Sequence, residues 1–330
     1  MNAPVPSPAE IRAAAARIAA ATVRTPLRHS TALSALVGGN VYLKLENEQV
    51  TGSFKSRGAH NALAMLSADA RARGVVASSA GNHGLGVAHA ARTRGIHATI
   101  FVPSTAPRVK RDGIAALGAT VNADAPDYDA AMVRAREFAA TTGATFVHPC
   151  LGDALLAGQG TVALEIVEQL PSVATIVTCV GGGGLLGGMA GFLRSERVEV
   201  RIVGAQTERT NAMAAALAAG HLVEIPSLPT LADGLAGQID DDALAIGRYG
   251  LDSIAVISEH DTAHAIRWLW AHEHIKAEGS GAVAVGALLT HRIPNTPYPI
   301  VAVISGANID ENRFSHLLES VSSAPSASSA

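Results

Sequence analysis

Short runs of β-branched and apolar residues alternate with longer helical runs over nearly the whole chain, and this alternation restricts the fold more than any other feature. The strand-like runs are VYLKLE (41–46), GVVASSA (74–80), ATIFVPS (98–104), ATVNAD (119–124), TFVHP (145–149), TIVTCVG (175–181), VRIVGAQT (200–207), SIAVISE (253–259) and YPIVAVISG (298–306). Helical stretches such as HGLGVAHAARTRG (83–95) and YDAAMVRAREFAATTG (128–143) separate most of them, and SRGAHNALAMLSADARA (56–72) reads as one helix. Strand, helix and strand in succession imply parallel sheets with helices on both faces and right-handed crossovers. Ser7, Pro8 and Glu10 form a capping box with proline at the first helical position, so a helix is expected to start there. With 330 residues, 48% of them hydrophobic, the chain can bury a substantial core. No polar linker divides it, so a second unit is expected to be an insertion.

Charge and cysteine usage exclude several classes. The net charge of −3 gives no broad electrostatic case for nucleic acid or an anionic membrane. No apolar run reaches the length of a membrane span, and MNAPVPSPAE lacks the basic and apolar regions of a secretory signal. Cys150 and Cys179 are the only cysteines, which argues against a disulfide framework and fits a reducing cytoplasm. Cys179 lies in an apolar strand and reads as core. Residues 319–330 are Ser/Ala/Pro-rich and expected to be disordered.

Four strand-to-helix loops carry chemistry. Lys55, in GSFKSRGA, stands where the strand VYLKLE gives way to a helix. Helix starts and desolvation lower a lysine's hold on its proton, so its amine could form a Schiff base with a carbonyl; a solvated lysine is the plainer alternative. SSAGNHGLG (78–86) offers backbone N–H groups to an anion such as a carboxylate, with Asn82 free to bond a ring hydroxyl, or is a tight turn with His83 satisfied locally. VGGGGLLGG (180–188) lets the backbone approach a phosphate closely. Its Gly182, Gly184 and Gly187 also match a dinucleotide fingerprint with Glu208 downstream, which keeps a nicotinamide oxidoreductase open. Ser305, in VISGANID, ends the last strand and could face a neutral ring nitrogen or close an ST-turn. An amine, a carboxylate loop, a phosphate cup and a ring-nitrogen partner together match the parts of pyridoxal 5'-phosphate.

The set GSFKSRGA, SSAGNHGLG, AGQGT, VGGGGLLGG, ADG and SGAN resembles the fold-type II pyridoxal-phosphate enzymes of the threonine dehydratase and serine racemase family, from about residue 20 to residue 315, with the motifs in family order. The resemblance implies a tryptophan synthase β-like α/β fold of two open, twisted, mostly parallel sheets. It places a large cofactor-binding domain in 1–69 and 151–318, and a small domain bearing the carboxylate loop in 70–150. It makes Lys55 the Schiff-base lysine, with Phe54 beside the cofactor and Asn82 on its phenolic oxygen. Gly181, Gly182, Gly183, Gly184 and Leu185 would hold the phosphate, and Ser305 would face the pyridine nitrogen with Glu278 nearby. Ser79, Asn82 and His83 belong to the loop that grips the substrate carboxylate, with Ser79 counted as catalytic. The expected reaction is dehydration of a threonine- or serine-like 3-hydroxy amino acid to a 2-oxo acid and ammonia, by a cytoplasmic homodimer. A serine-type amino acid racemase is the alternative on the same scaffold.

Three departures from the family pattern refine this expectation. Ala80 stands where serine racemases carry a second serine, which favours dehydration. Gln206 and Ala212 replace carboxylates that hold a divalent cation in relatives, so no metal is expected, although Glu208 is a nearby acid. HPCLGDALLAGQGT differs from the usual HPF- or HPN-type segment, so Cys150, Leu151 and Gly152 are expected to flank the substrate side chain. That change leaves threonine, serine, phenylserine and hydroxyaspartate all open. The chain ends soon after SGAN, so feedback by a C-terminal regulatory domain is not expected. His260, His264, His272 and His274 share a predicted surface helix with Trp268 and Trp270, and lack the ligand set of a zinc site.

Overall fold

The computed structural model describes residues 3–319. In chain order the elements are α1 (Pro8–Ile18), β1 (Leu27–His29), α2 (Thr31–Val37), β2 (Val41–Lys44), α3 (Lys55–Ala64), α4 (Ala68–Arg73), β3 (Val75–Ser78), α5 (Asn82–Arg94), β4 (Ala98–Pro103), α6 (Arg108–Ala115), β5 (Thr120–Ala125), α7 (Tyr128–Thr142) and β6 (Thr145–Phe146). They continue with α8 (Asp153–Gln169), β7 (Thr175–Cys179), α9 (Gly184–Glu196), β8 (Arg201–Thr207), α10 (Ala212–Ala219), α11 (Asp241–Gly250), β9 (Ser253–Ile257), α12 (Glu259–Glu273), α13 (Gly279–Leu289), β10 (Ile300–Val303) and α14 (Glu311–Glu319).

The strands form two sheets. A six-stranded sheet runs β1-β2-β10-β7-β8-β9, and a four-stranded sheet runs β5-β4-β3-β6. Every pairing is parallel except β1 with β2. Parallel strands covered on both faces read as continuous apolar runs. β3, β7 and β10 are buried at every position, whereas the edge strand β5 is mostly exposed or half-buried. One large hydrophobic cluster joins helices and strands of both sheets, and a smaller one fills the space between α7 and the four-stranded sheet around Phe101 and Phe146.

Each strand-like run of the sequence contains a strand. The short β1 was not anticipated, because its LRH residues are only half-buried or exposed and show no apolar alternation. The expected helix 56–72 is two helices. Met65–Leu66 break it, and Ser67 caps α4 by accepting from the N–H of Ala70 at 3.2 Å. α1 starts with the expected capping box of Ser7 and Glu10. Of the expected tail, Glu319 ends α14 and the remainder lies outside the described residues.

Candidate active site

The loops singled out in the sequence follow β2, β3, β7 and β10 at their carboxyl ends, where ligands bind in open α/β sheets. The helices that follow three of these loops, α3, α5 and α9, have no side-chain cap, and neither do α6, α8, α10 and α13. By contrast, Ser7, Ser30, Ser67, Asp127, Asp240 and Ser258 cap α1, α2, α4, α7, α11 and α12. An uncapped start leaves backbone N–H groups and the positive end of the helix dipole open to an anion.

Lys55 is the first residue of α3. Its Nζ donates to the Pro149 carbonyl at 2.7 Å, lies 3.8 Å from Cys150 Sγ and sits 5.3 Å from the centre of the Phe54 ring. The loop 149–151 continues to the glycine run. A Cβ at Gly182 would stand 2.9 Å from Cys150 Sγ, and one at Gly184 would stand 3.0 Å from Cys150 Cα. Gly183, at φ +84°, turns the chain into α9 in the left-handed region that favours glycine. On the other side, the N–H of Phe54 donates to the Ser305 carbonyl at 3.1 Å, and Ser53 bridges to Gly306. Ser305 Oγ donates to the Ser280 carbonyl at 3.2 Å. The Ser280 hydroxyl is buried with no partner.

Asn82 Nδ2 donates to Glu278 Oε1 at 2.6 Å, and Asn308 Nδ2 donates to Asn82 Oδ1 at 2.6 Å. Asn308 also donates to the Thr51 carbonyl at 2.8 Å, so one amide ties the segment before Lys55 to the start of α5. The sequence reading passed over Asn308, although it closes the SGAN motif and its amide can serve two partners. Burial, then the charge of Asp233, pushes the Glu278 carboxyl up to about 7. Unfolded, that group ionises near its ordinary 4.5, so the stability of its neutral form is complete below 4.5 and is lost as pH rises through about 7. Glu278→Gln keeps an acceptor for Asn82 and cannot ionise. It should flatten the fall in apoprotein melting temperature across that window, and an unchanged slope would refute this.

Other expected residues are engaged differently. Ser79 Oγ accepts from the N–H of Gly81 at 3.1 Å and so shapes the turn. His83, the second residue of α5, is buried and its Nε2 donates to the Val147 carbonyl at 2.9 Å. Burial pushes this imidazole down to about 3, which keeps it neutral. Gln206 spends its amide on backbone: Nε2 donates to the carbonyls of Val180 and Thr210, and Oε1 accepts from Ala214. Glu208 accepts from the N–H of Glu259 at 3.3 Å. Among the described residues no group of three or more His, Cys, Asp or Glu side chains could hold a metal ion.

Behind Lys55 lies a buried charge network. Arg57 donates from Nε to Glu46 at 2.7 Å and from Nη1 to Glu165 at 2.7 Å, and Lys44 reaches Glu165 at 2.5 Å. Glu46 also accepts from Thr25 at 2.6 Å. Burial opposes the charges of Glu46 and Arg57, but the pairing prevails there, holding Glu46 below and Arg57 above their ordinary values, whereas at Lys44 burial prevails and holds the ammonium below its ordinary value. Two cations and two carboxylates cancel. They pin the first turn of α3 to β2 and α8.

The family of pyridoxal-phosphate dependent enzymes matches residues 18–306, and the chain belongs to it. The L-threonine ammonia-lyase of Thermotoga maritima is 43% identical over 296 residues, covering 89% of this chain and 74% of that protein. A Staphylococcus aureus (strain USA300) protein named L-threonine dehydratase catabolic TdcB is 37% identical over 301 residues, covering 90% of this chain and 87% of that one. The structure of maize serine racemase superposes with a TM-score of 0.90 at 31% identity, covering 94% of this chain and 96% of that one. The fold is thus the fold-type II arrangement, and the cofactor is pyridoxal phosphate. The site suits that group. The glycine run admits no side chain against Cys150, the Ser280 hydroxyl is buried without a partner, and uncapped helix starts await an anion. The dinucleotide alternative is set aside, since neither Lys55 nor the loop of Asn82 has a place in it.

Proposed function

We propose that the chain is an ammonia-lyase that dehydrates a threonine- or serine-like 3-hydroxy amino acid to a 2-oxo acid and ammonia. The observation that carries this reading is the Lys55 amine, held between the Pro149 carbonyl and the Cys150 thiol beside the glycine run. The names of the Thermotoga and Staphylococcus relatives point the same way. Bound there, pyridoxal phosphate would draw electron density from the substrate's Cα. Gly181, Gly182, Gly183, Gly184 and Leu185 would offer N–H groups to the phosphate, and Phe54 would pack beside the ring. Asn82 would donate to the ring hydroxyl. Ser305 would face the ring nitrogen, with Glu278 near Asn82. The uncapped start of α5, with Ser79, Asn82 and His83, would receive the substrate carboxylate. Lys55 Nζ would hold the cofactor and then, once displaced, take the proton from Cα. Cys150 would flank the substrate side chain.

The likeness to maize serine racemase keeps racemisation as a second reading. Ala80 disfavours it: a methyl packed against the core has no proton to deliver, and the Ser79 hydroxyl is bound to Gly81. We read 1–69 with 151–318, around the six-stranded sheet, as the large domain, and 70–150, around the four-stranded sheet, as the small one. We expect a cytoplasmic homodimer. Among the described residues no helix is long and apolar enough to cross a membrane.

The test is 2-oxo acid and ammonia release from a panel of threonine, serine, phenylserine and hydroxyaspartate, with and without EDTA. Turnover of at least one substrate, unaffected by EDTA, is the expected outcome, because Gln206 has no free oxygen for a cation. Inversion of an L-amino acid without oxo acid would replace the lyase reading by the racemase one.

A further inference from the structure

Pro149, whose carbonyl receives Lys55 Nζ at 2.7 Å, stands between His148 and Cys150 in a turn with no side-chain cap for the following helix. The turn is closed by one side chain. His148 Nδ1 lies 3.1 Å from the backbone nitrogen of Cys150 and 2.9 Å from that of Leu151. A backbone N–H can only donate, so Nδ1 carries no proton and accepts both bonds. A cavity of about 310 Å³, lined by Leu63, Leu66, Val147, Leu151 and Leu155 among others, lies behind the turn and also borders His148.

We propose that His148 is a positioning residue for the reaction, whose Nδ1 holds the 149–151 turn so that the Pro149 carbonyl meets the free Lys55 amine. The proposal rests on the lyase reading for its kinetic consequence, though its geometry does not. Protonating Nδ1 removes the acceptor and adds a donor that faces two N–H groups, so the turn must open.

The surroundings decide when that happens. Burial holds the imidazole below its ordinary value of 6.5; Asp240 at the start of α11 opposes this, and Arg136 of α7 and Lys55 of α3 reinforce it. Asp153 of α8 lines the same cavity, and the neutral His83 of α5 is held by Val147. The Phe146 ring lies edge-on to His148 at 6.2 Å and carries Arg136 on its face. The neutral form therefore serves at and above neutral pH, and the turn is lost on the acid side of the ordinary imidazole range.

The experiment compares the holoenzyme with His148→Asn and His148→Leu over a pH series. Asparagine places its Oδ1 as many bonds from the backbone as Nδ1 and does not titrate. Hydrogen exchange of the Cys150 and Leu151 amides is read alongside kcat, KM and the absorbance of the bound cofactor. In the wild type, protection of these amides should fall about tenfold or more on acidification, from the loss of two bonds of roughly 1 kcal/mol each, and kcat should fall with it. His148→Asn should keep both on the acid side. His148→Leu should lose both at every pH while cofactor absorbance stays close to wild type. Acid profiles of His148→Asn that superimpose on the wild type would overturn the proposal, as would full kcat in His148→Leu. If no substrate turns over, the exchange measurement alone still decides the clamp, and the lyase reading fails separately.

Discussion

Lys55→Ala is expected to abolish 2-oxo acid release, by roughly 10⁴-fold or more, since in the proposed function the amine both holds the cofactor and moves the Cα proton. The same substitution should leave folding almost untouched. Among the described residues the side chain hydrogen-bonds the Pro149 carbonyl and the Cys150 thiol, and Lys55 is half-buried at a helix start where alanine is well tolerated. The measurement pairs turnover with thermal melting of the apoproteins. A dead enzyme with an unchanged apoprotein melting temperature places the loss in chemistry. Lys55→Ala that still releases oxo acid at more than a few per cent of the wild-type rate would remove the basis of the lyase reading.

Arg57→Met should have the opposite signature, a large loss of stability. Arg57 is 1% exposed and pairs with two carboxylates, one of them fully buried. Removing the guanidinium leaves Glu46 and Glu165 facing Lys44 alone, with one negative charge uncompensated. Breaking a buried ion pair from one side costs about 3–5 kcal/mol. The double variant Arg57→Met with Glu46→Leu leaves Lys44 and Glu165 as a balanced pair, and should recover most of that loss. Urea unfolding of the wild type, single and double variants tests this. A single variant within about 1 kcal/mol of wild type would mean that water or a shifted Lys44 compensates the charge. Because the network pins the first turn of α3, the single variant should also bind cofactor more weakly than its residual folded fraction explains.

The two variants show what a sequence reading can and cannot supply. The parallel α/β fold was legible because strands buried on both faces, such as TIVTC and IVAV, must be continuously apolar, and helices must separate them. The loop of Lys55 and the glycine run stand out in the sequence because only a few residue types suit a helix start open to an anion, and the structure brings both against Cys150. Arg57 lay inside the same motif and went unnoticed. Its partners Glu46 and Glu165 stand 11 and 108 positions away, and nothing local marks them as neighbours. Asn308 and His148 escaped for a related reason: each acts on the backbone of another segment or turn, and backbone partners leave no trace in composition. β1 was missed because an antiparallel edge strand with a solvent-facing side carries no apolar run. The helix 56–72 was overextended because Ser67, a capping residue, was read as part of the periodic stretch.

The position of β10 also constrains how this molecule is made. It is the last strand of the described residues, yet it lies inside the six-stranded sheet, hydrogen-bonded to β2 on one side and β7 on the other. A nascent chain can assemble the four-stranded sheet once residue 146 has left the ribosome, because its strands are contiguous from β3 to β6. β2 and β7 must then wait with one edge each unpaired until residue 303 is synthesised, more than 120 residues after β7 ends. Ser305 and Asn308 emerge later still. The unpaired edges of β2 and β7 are the part of that intermediate open to wrong pairing.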